Sequence, residues 1–127
     1  METPRRFRLG DLQLRIMRVL WSSGPATVAQ VQEHLEGEPL AYTTVATMLR
    51  KMEDRGLVGH RKNQRRFVYR ATVSEQDVTR SMADDLVDRV FEGSLADAVS
   101  HLLEIREVSR EELTRLEQLI RERKRKR

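Results

Sequence analysis

AYTTVATMLRKMEDRGLVGHRKNQRRFVYR, residues 41–70, is the stretch around which the rest of the chain can be ordered. Val45, Met48, Leu49 and Met52 recur at i, i+3, i+4 and i+7, so Ala41 to Gly56 predicts a helix with one face on a core. Thr43, Thr44, Thr47, Arg50 and Lys51 are left for the other face. Leu57 to Arg61 and Phe67 to Ala71 have strand composition, and Lys62-Asn63-Gln64-Arg65 makes the tip of a hairpin between them. Residues 41–70 hold eight Arg or Lys against two acids. A polar helix face alone belongs to any soluble helix; the basic hairpin behind it turns the reading toward duplex DNA. Threonine hydroxyls and methyls meet base edges or phosphates, and Arg or Lys meets guanine and the backbone. The expected base readers are therefore Thr43, Thr44, Thr47, Arg50 and Lys51, and the expected backbone contacts are Tyr42, Arg61, Lys62, Gln64, Arg65 and Arg66.

Upstream, Leu12, Ile16, Val19 and Leu20 follow helical spacing after Asp11, which serves as an N-cap or a first-turn acid. Ser22-Ser23-Gly24-Pro25 ends that helix. Thr27 is placed to cap a second helix, with Val28, Val31 and Leu35 on one side and an end near Gly37. Three short helices joined by brief links form a helix-turn-helix layout, and the hairpin adds a wing. Residues 1–73 thus predict a mainly α winged helix-turn-helix domain for binding DNA.

Downstream, Ser74 with Asp77 three residues on has the form of a capping box, and Gly93 breaks the helix that follows. Ser94 and Ser109 open two more helices, and the chain after Ile120 is expected to fray into charge. The apolar stripes of these helices, Val78, Met82, Leu86, Val90, Phe91, Leu95, Val99, Leu102, Leu103, Leu113, Leu116 and Ile120, have little to pack on except one another, the wing or a second copy. Residues 74–127 therefore predict a helical dimerisation domain, the alternative being a cap folded onto the same chain. A dimer brings two reading helices to two half-sites, which a single winged helix cannot do.

Charge follows the same division. Residues 1–73 carry 13 Lys or Arg and 7 Asp or Glu, residues 74–120 carry 5 and 12, and residues 121–127 carry 6 and 1. The basic part is attracted to a polyanion that repels the acidic part. The terminal basic run reads as a solvated helix end opposite its own dipole, with nucleic-acid contact as the alternative. With no cysteine among 127 residues, disulfides and thiolate metal sites are excluded, which suits a cytoplasmic protein. His34, His60 and His101 fall in three different elements without ligand spacing, and no nucleophile elbow or glycine-rich phosphate loop is present. The adjacent pairs Asp84-Asp85 and Glu111-Glu112 diverge around a helix and do not converge on one substrate. The expectation is a protein that is not an enzyme, with no cofactor, no metal and no membrane insertion.

Leu9-Gly10-Asp11-Leu12 through Leu20-Trp21, the run Tyr42 to Arg50 and Gly56-Leu57-Val58 together resemble the penicillinase-repressor (BlaI/MecI) family over nearly the whole length. The resemblance implies a dimeric winged-helix repressor on a palindromic, double-stranded promoter operator. It also implies a membrane sensor protease as a partner, signalling β-lactam, with repression relieved by a cut in the C-terminal domain. Laid onto that pattern, the cut falls at His101-Leu102, where well-known members carry Asn-Phe, and the plain reading of Leu102 is a core leucine. The cysteine cluster of the copper-responsive cousins has no counterpart here. The rival from another class is a protein-interaction adaptor, since winged helices also serve as docking surfaces.

Overall fold

Local capping explains where most of the helices begin and end in the computed structural model, which describes residues 7–126. Helix α1 (Asp11–Ser23) starts after Gly10, whose N–H donates to Gln13 Oε1 at 3.3 Å, and Asp11 sits in its first turn. It stops at Gly24, whose φ of 80° suits a residue without a Cβ. A two-residue strand, β1 (Ala26–Thr27), leads into α2 (Val28–His34). Thr27 caps α2 reciprocally: its Oγ1 accepts from the Gln30 N–H at 3.2 Å, and its own N–H donates to Gln30 Oε1 at 2.9 Å. Helix α2 ends at His34, earlier than the expected stop near Gly37, because Leu35 is already extended.

Helix α3 (Tyr42–Asp54) closes in a Schellman turn, with the Leu57 N–H on Met52 O and the Gly56 N–H on Glu53 O, both at 2.9 Å. Gly56 takes φ 77° there, and the chain reverses directly into the hairpin of β2 (Val58–Asn63) and β3 (Arg66–Ala71). The hairpin register pairs Val58 with Ala71 and Asn63 with Arg66, so the turn is only Gln64-Arg65, tighter than the expected four-residue tip. The sheet has a third strand that the sequence pattern does not predict. β1 pairs antiparallel with β3, Ala26 opposite Tyr69, giving the order β1-β3-β2. Mainly helical with a small wing is the architecture expected, with that strand added.

One core lies under these elements. Ile16, Met17, Val31, Val45, Leu49 and Met52 are fully buried, and Leu57, Val58 and Tyr69 join them from the wing side. Burying a side chain of this kind stabilises by roughly 1.5–3 kcal/mol. Trp21, half-buried at the edge, donates its indole N–H to Val73 O at 3.0 Å and holds the end of the wing to α1.

Helix α4 (Glu75–Val90) begins at Ser74, whose Oγ accepts from the Asp77 N–H at 3.0 Å. The chain divides into two compact units between Asp85 and Leu86, within this helix. Val78 is 1% exposed and belongs to the first unit's core, and Met82 packs on that core. Both were expected on a dimer face. Spacing shows that a stripe must be covered but not by what, and here the same chain covers it. The second unit continues with α5 (Leu95–Ile105) and α6 (Arg110–Arg125), capped by the Oγ atoms of Ser94 and Ser109 on the N–H groups of Asp97 and Glu112 at 3.1 Å each. Helix α6 runs through the basic segment to Arg125, where fraying was expected, and its cations sit at the negative end of the helix dipole.

Candidate nucleic-acid interface

At about 100° per residue, Thr43, Thr47 and Arg50 of α3 fall within an arc of roughly 60°, opposite the arc of Val45, Leu49 and Met52. All three polar residues are exposed and the three apolar ones are fully buried. The core thus turns this face outward. Arg50 Nη2 lies 3.4 Å from Thr47 Oγ1, so the guanidinium is held along the helix beside the hydroxyl. Thr44 and Lys51 are exposed on one flank of that face. Asp54, one turn beyond Arg50 on the same face, is also exposed; its carboxylate repels phosphate, so the last turn of the helix is the part least suited to DNA.

Tyr42 lies on the other flank, 53% exposed, and opens a groove between α3 and the wing. Thr27, Val28 and Ala29 form one wall, Tyr42, Ala46 and Arg50 another, and Arg65, Arg66, Phe67 and Tyr69 close it. The basic tip of the wing and the reading helix therefore share one channel, with three guanidinium groups along it. Arg61, Lys62 and Gln64 are exposed on the wing as well. The register sets Arg61 opposite Val68 and Lys62 opposite Phe67, so these neighbours point to opposite faces of the hairpin.

His60 is part of the wing's anchor. Its Nδ1 is 2.6 Å from Glu53 Oε1, an ion pair when the ring is protonated, and its ring stacks on Phe67 with centroids 4.3 Å apart. Tyr69 completes the cluster, its centroid 5.5 Å from that of His60. Burial pushes the Tyr69 phenol above its ordinary range, and the Glu53 carboxylate pushes the same way. The sequence pattern does not pair Glu53 with His60. The signal available is their seven-residue separation across the Gly56 reversal, which brings the end of the helix over the first strand.

The residues expected at a dimer face lie in two settings. Leu86, Val90, Leu95, Val99, Leu102, Leu103, Leu113 and Ile120 are exposed, while Phe91 and Leu116 are half-buried, Phe91 lying 5.4 Å from the His101 ring. Among the described residues after Asp85, Ala98 is the sole buried apolar side chain. His101 and Leu102 are exposed in the middle of α5, with His101 Nδ1 2.9 Å from Asp97 O. No group of His, Cys, Asp or Glu able to hold a metal occurs among the described residues, and none of their helices is long and apolar enough to cross a membrane.

Residues 9–122 match the family model described as penicillinase repressor. The chain is 28% identical over 118 residues to the penicillinase repressor of Bacillus licheniformis, covering 92% of both proteins. It is 40% identical over 101 residues to the transcriptional regulator BlaI of Mycobacterium tuberculosis, covering 76% of this chain and 72% of that one. Among solved structures it is similar to the monomeric form of Bacillus licheniformis BlaI in complex with the blaP half-operator, at 27% identity and a TM-score of 0.49, over 57% of this chain and 90% of that one.

Proposed function

Because the chain belongs to the penicillinase-repressor (BlaI/MecI) family of winged-helix transcriptional regulators, we propose that it represses transcription as a homodimer on a palindromic operator. The observation that carries the DNA reading is the outward arc of Thr43, Thr47 and Arg50, backed by a fully buried apolar arc on the same helix. Those three residues read base edges in the major groove along the outward face of α3, with Thr44 and Lys51 beside them. Tyr42, Arg61, Lys62, Gln64, Arg65 and Arg66 hold the sugar-phosphate backbone and set the register without reading sequence.

Dimerisation rests on the second unit, which leaves most of its leucines, valines and isoleucines exposed when alone. A second copy covering the exposed faces of α5 and α6 removes that apolar surface from solvent, at roughly 25 cal/mol per Å². The division at residue 73 expected from the sequence thus moves into α4: the reading head includes the start of that helix, and the dimerising surface lies after Asp85. Relief of repression by a sensor protease belongs to the same reading. A cut between His101 and Leu102 separates α6 and the end of α5 from the rest of the chain, and with them part of the proposed dimer surface. The bond lies inside a helix, so α5 must open locally before a protease can take it as an extended substrate.

The test is selection of bound duplexes from a random pool, with sedimentation of the free chain. Inverted repeats separated by one helical turn or a multiple, together with a dimer at micromolar concentration, are expected. A monomer that enriches no repeat overturns the proposal.

A further inference from the structure

Toward its tip the wing loses the support of the core. β1 pairs with β3 only at Val68 and Tyr69, and residues 60–67 are all exposed, so the outer hairpin has two strands and no buried side chain. A two-stranded ribbon in that state is marginally stable at best. A chain of side chains ties it back to α3. His60 Nδ1 lies 2.6 and 2.9 Å from the two carboxylate oxygens of Glu53, and the His60 ring stacks on Phe67 with centroids 4.3 Å apart. The register sets His60 opposite Tyr69 and Lys62 opposite Phe67, so His60 and Phe67 share one face of the hairpin. Phe67 follows Arg65-Arg66 directly in the chain and lines the groove with them. On α3, Tyr42, Ala46, Arg50 and Glu53 are spaced by four, four and three residues and form one row along the helix. The first three line the groove, and Glu53 lies one turn beyond them.

We propose that Glu53 is a positioning residue for the DNA interface: through His60 and Phe67 it holds the outer wing at a fixed place beside the reading helix, so that Arg65 and Arg66 meet phosphates while α3 meets base edges. This rests on the DNA reading above. The sign of the effect separates this role from a plain electrostatic one. A carboxylate near a chain of phosphates costs affinity, so one that acts by its charge alone tightens binding when it is neutralised. A carboxylate that positions the wing weakens binding when neutralised, although a repulsive charge has gone. The rival role is direct reading, since a glutamate can accept a hydrogen bond from cytosine N4 in the major groove. Neutralisation then alters preference at one base pair, whereas a misplaced wing weakens every sequence alike.

The experiment uses the full chain and a half-site duplex recovered by the selection above. Glu53→Gln removes the charge at nearly constant size, and His60→Leu removes the ring that backs Phe67. Both are checked against the parent by thermal melting, and each is combined with Arg65→Ala/Arg66→Ala. Either variant alone is expected to weaken half-site affinity about three- to tenfold at about 0.1 M salt. Removing the two wing arginines is expected to cost at least about threefold less in either variant than in the parent, a coupling that a general loss of stability would not produce. Glu53→Gln and His60→Leu together are expected to exceed the larger single loss by no more than about twofold, because both act through one contact. The proposal is overturned if Glu53→Gln binds as tightly as the parent or tighter, if its loss is confined to one base pair of the site, or if the arginines cost the same in both backgrounds. A parent chain indifferent to Arg65→Ala/Arg66→Ala defeats the phosphate role of the wing itself and this proposal with it, and that is seen before Glu53 is changed.

Discussion

Removing Arg65 and Arg66 together tests whether the groove beside α3 takes a DNA strand. Both side chains line that groove with Arg50, at the tip of the hairpin where Asn63 pairs with Arg66. If each guanidinium neutralises one phosphate, the double variant gives back two counterions per protomer, and the slope of log K against log salt falls by about 1.8. Between 50 and 200 mM salt that amounts to a roughly 12-fold smaller loss of affinity on a single half-site, and about 150-fold on a palindrome bound by two protomers. Fluorescence anisotropy on a labelled half-site duplex, titrated at four or five salt concentrations, reads the slope directly. Parallel salt plots for the parent and Arg65→Ala/Arg66→Ala would refute the phosphate role of the wing tip. A lower affinity with an unchanged slope would mean that the arginines act by shape, which also defeats the argument.

Thr47→Ala, at the centre of the outward arc, should relax preference at one operator position by about 1–3 kcal/mol without changing the salt slope, as read by selection from a pool randomised at each position. Gly56→Ala forces a Cβ into the left-handed region at the Schellman turn and is expected to cost about 1–2 kcal/mol, measured by denaturant unfolding. The raised pKa of Tyr69 gives a contribution to stability that is present below the ordinary tyrosine value of about 10 and is lost as pH rises toward the folded value. Tyr69→Phe should therefore show a flatter alkaline limb in melts taken above pH 10.

The apolar period of Val45, Met48, Leu49 and Met52 located the reading helix and its outward face, because a 13-residue amphipathic segment repeats its pattern several times. Thr27 was legible as a cap for a similar reason: the oxygen it presents three residues before Gln30 is a local signal. β1 was not, since two residues have no period, and their pairing with β3 depends on chain more than forty positions away. Val78 and Met82 carry the same helical spacing as Leu86 and Val90, and only the fold shows that the first pair is covered by its own chain. Asp85 reads in sequence as half of an acidic pair on a solvated helix. Its burial beside Arg8 follows from where residues 7–9 run, which no pattern within α4 encodes.

β2 is one edge strand of the three-stranded sheet, and among the described residues no strand pairs with its free side, which leaves a row of amide and carbonyl groups there. Such a rim invites a strand from a neighbouring molecule to anneal, and Arg61 and Lys62 discourage it by mutual repulsion between molecules. The cations proposed to hold DNA are thus also expected to oppose edge-to-edge association when no DNA is bound. Neutralising the whole strand is expected to turn a well-behaved sample turbid on concentration, whereas duplex added beforehand shields the rim.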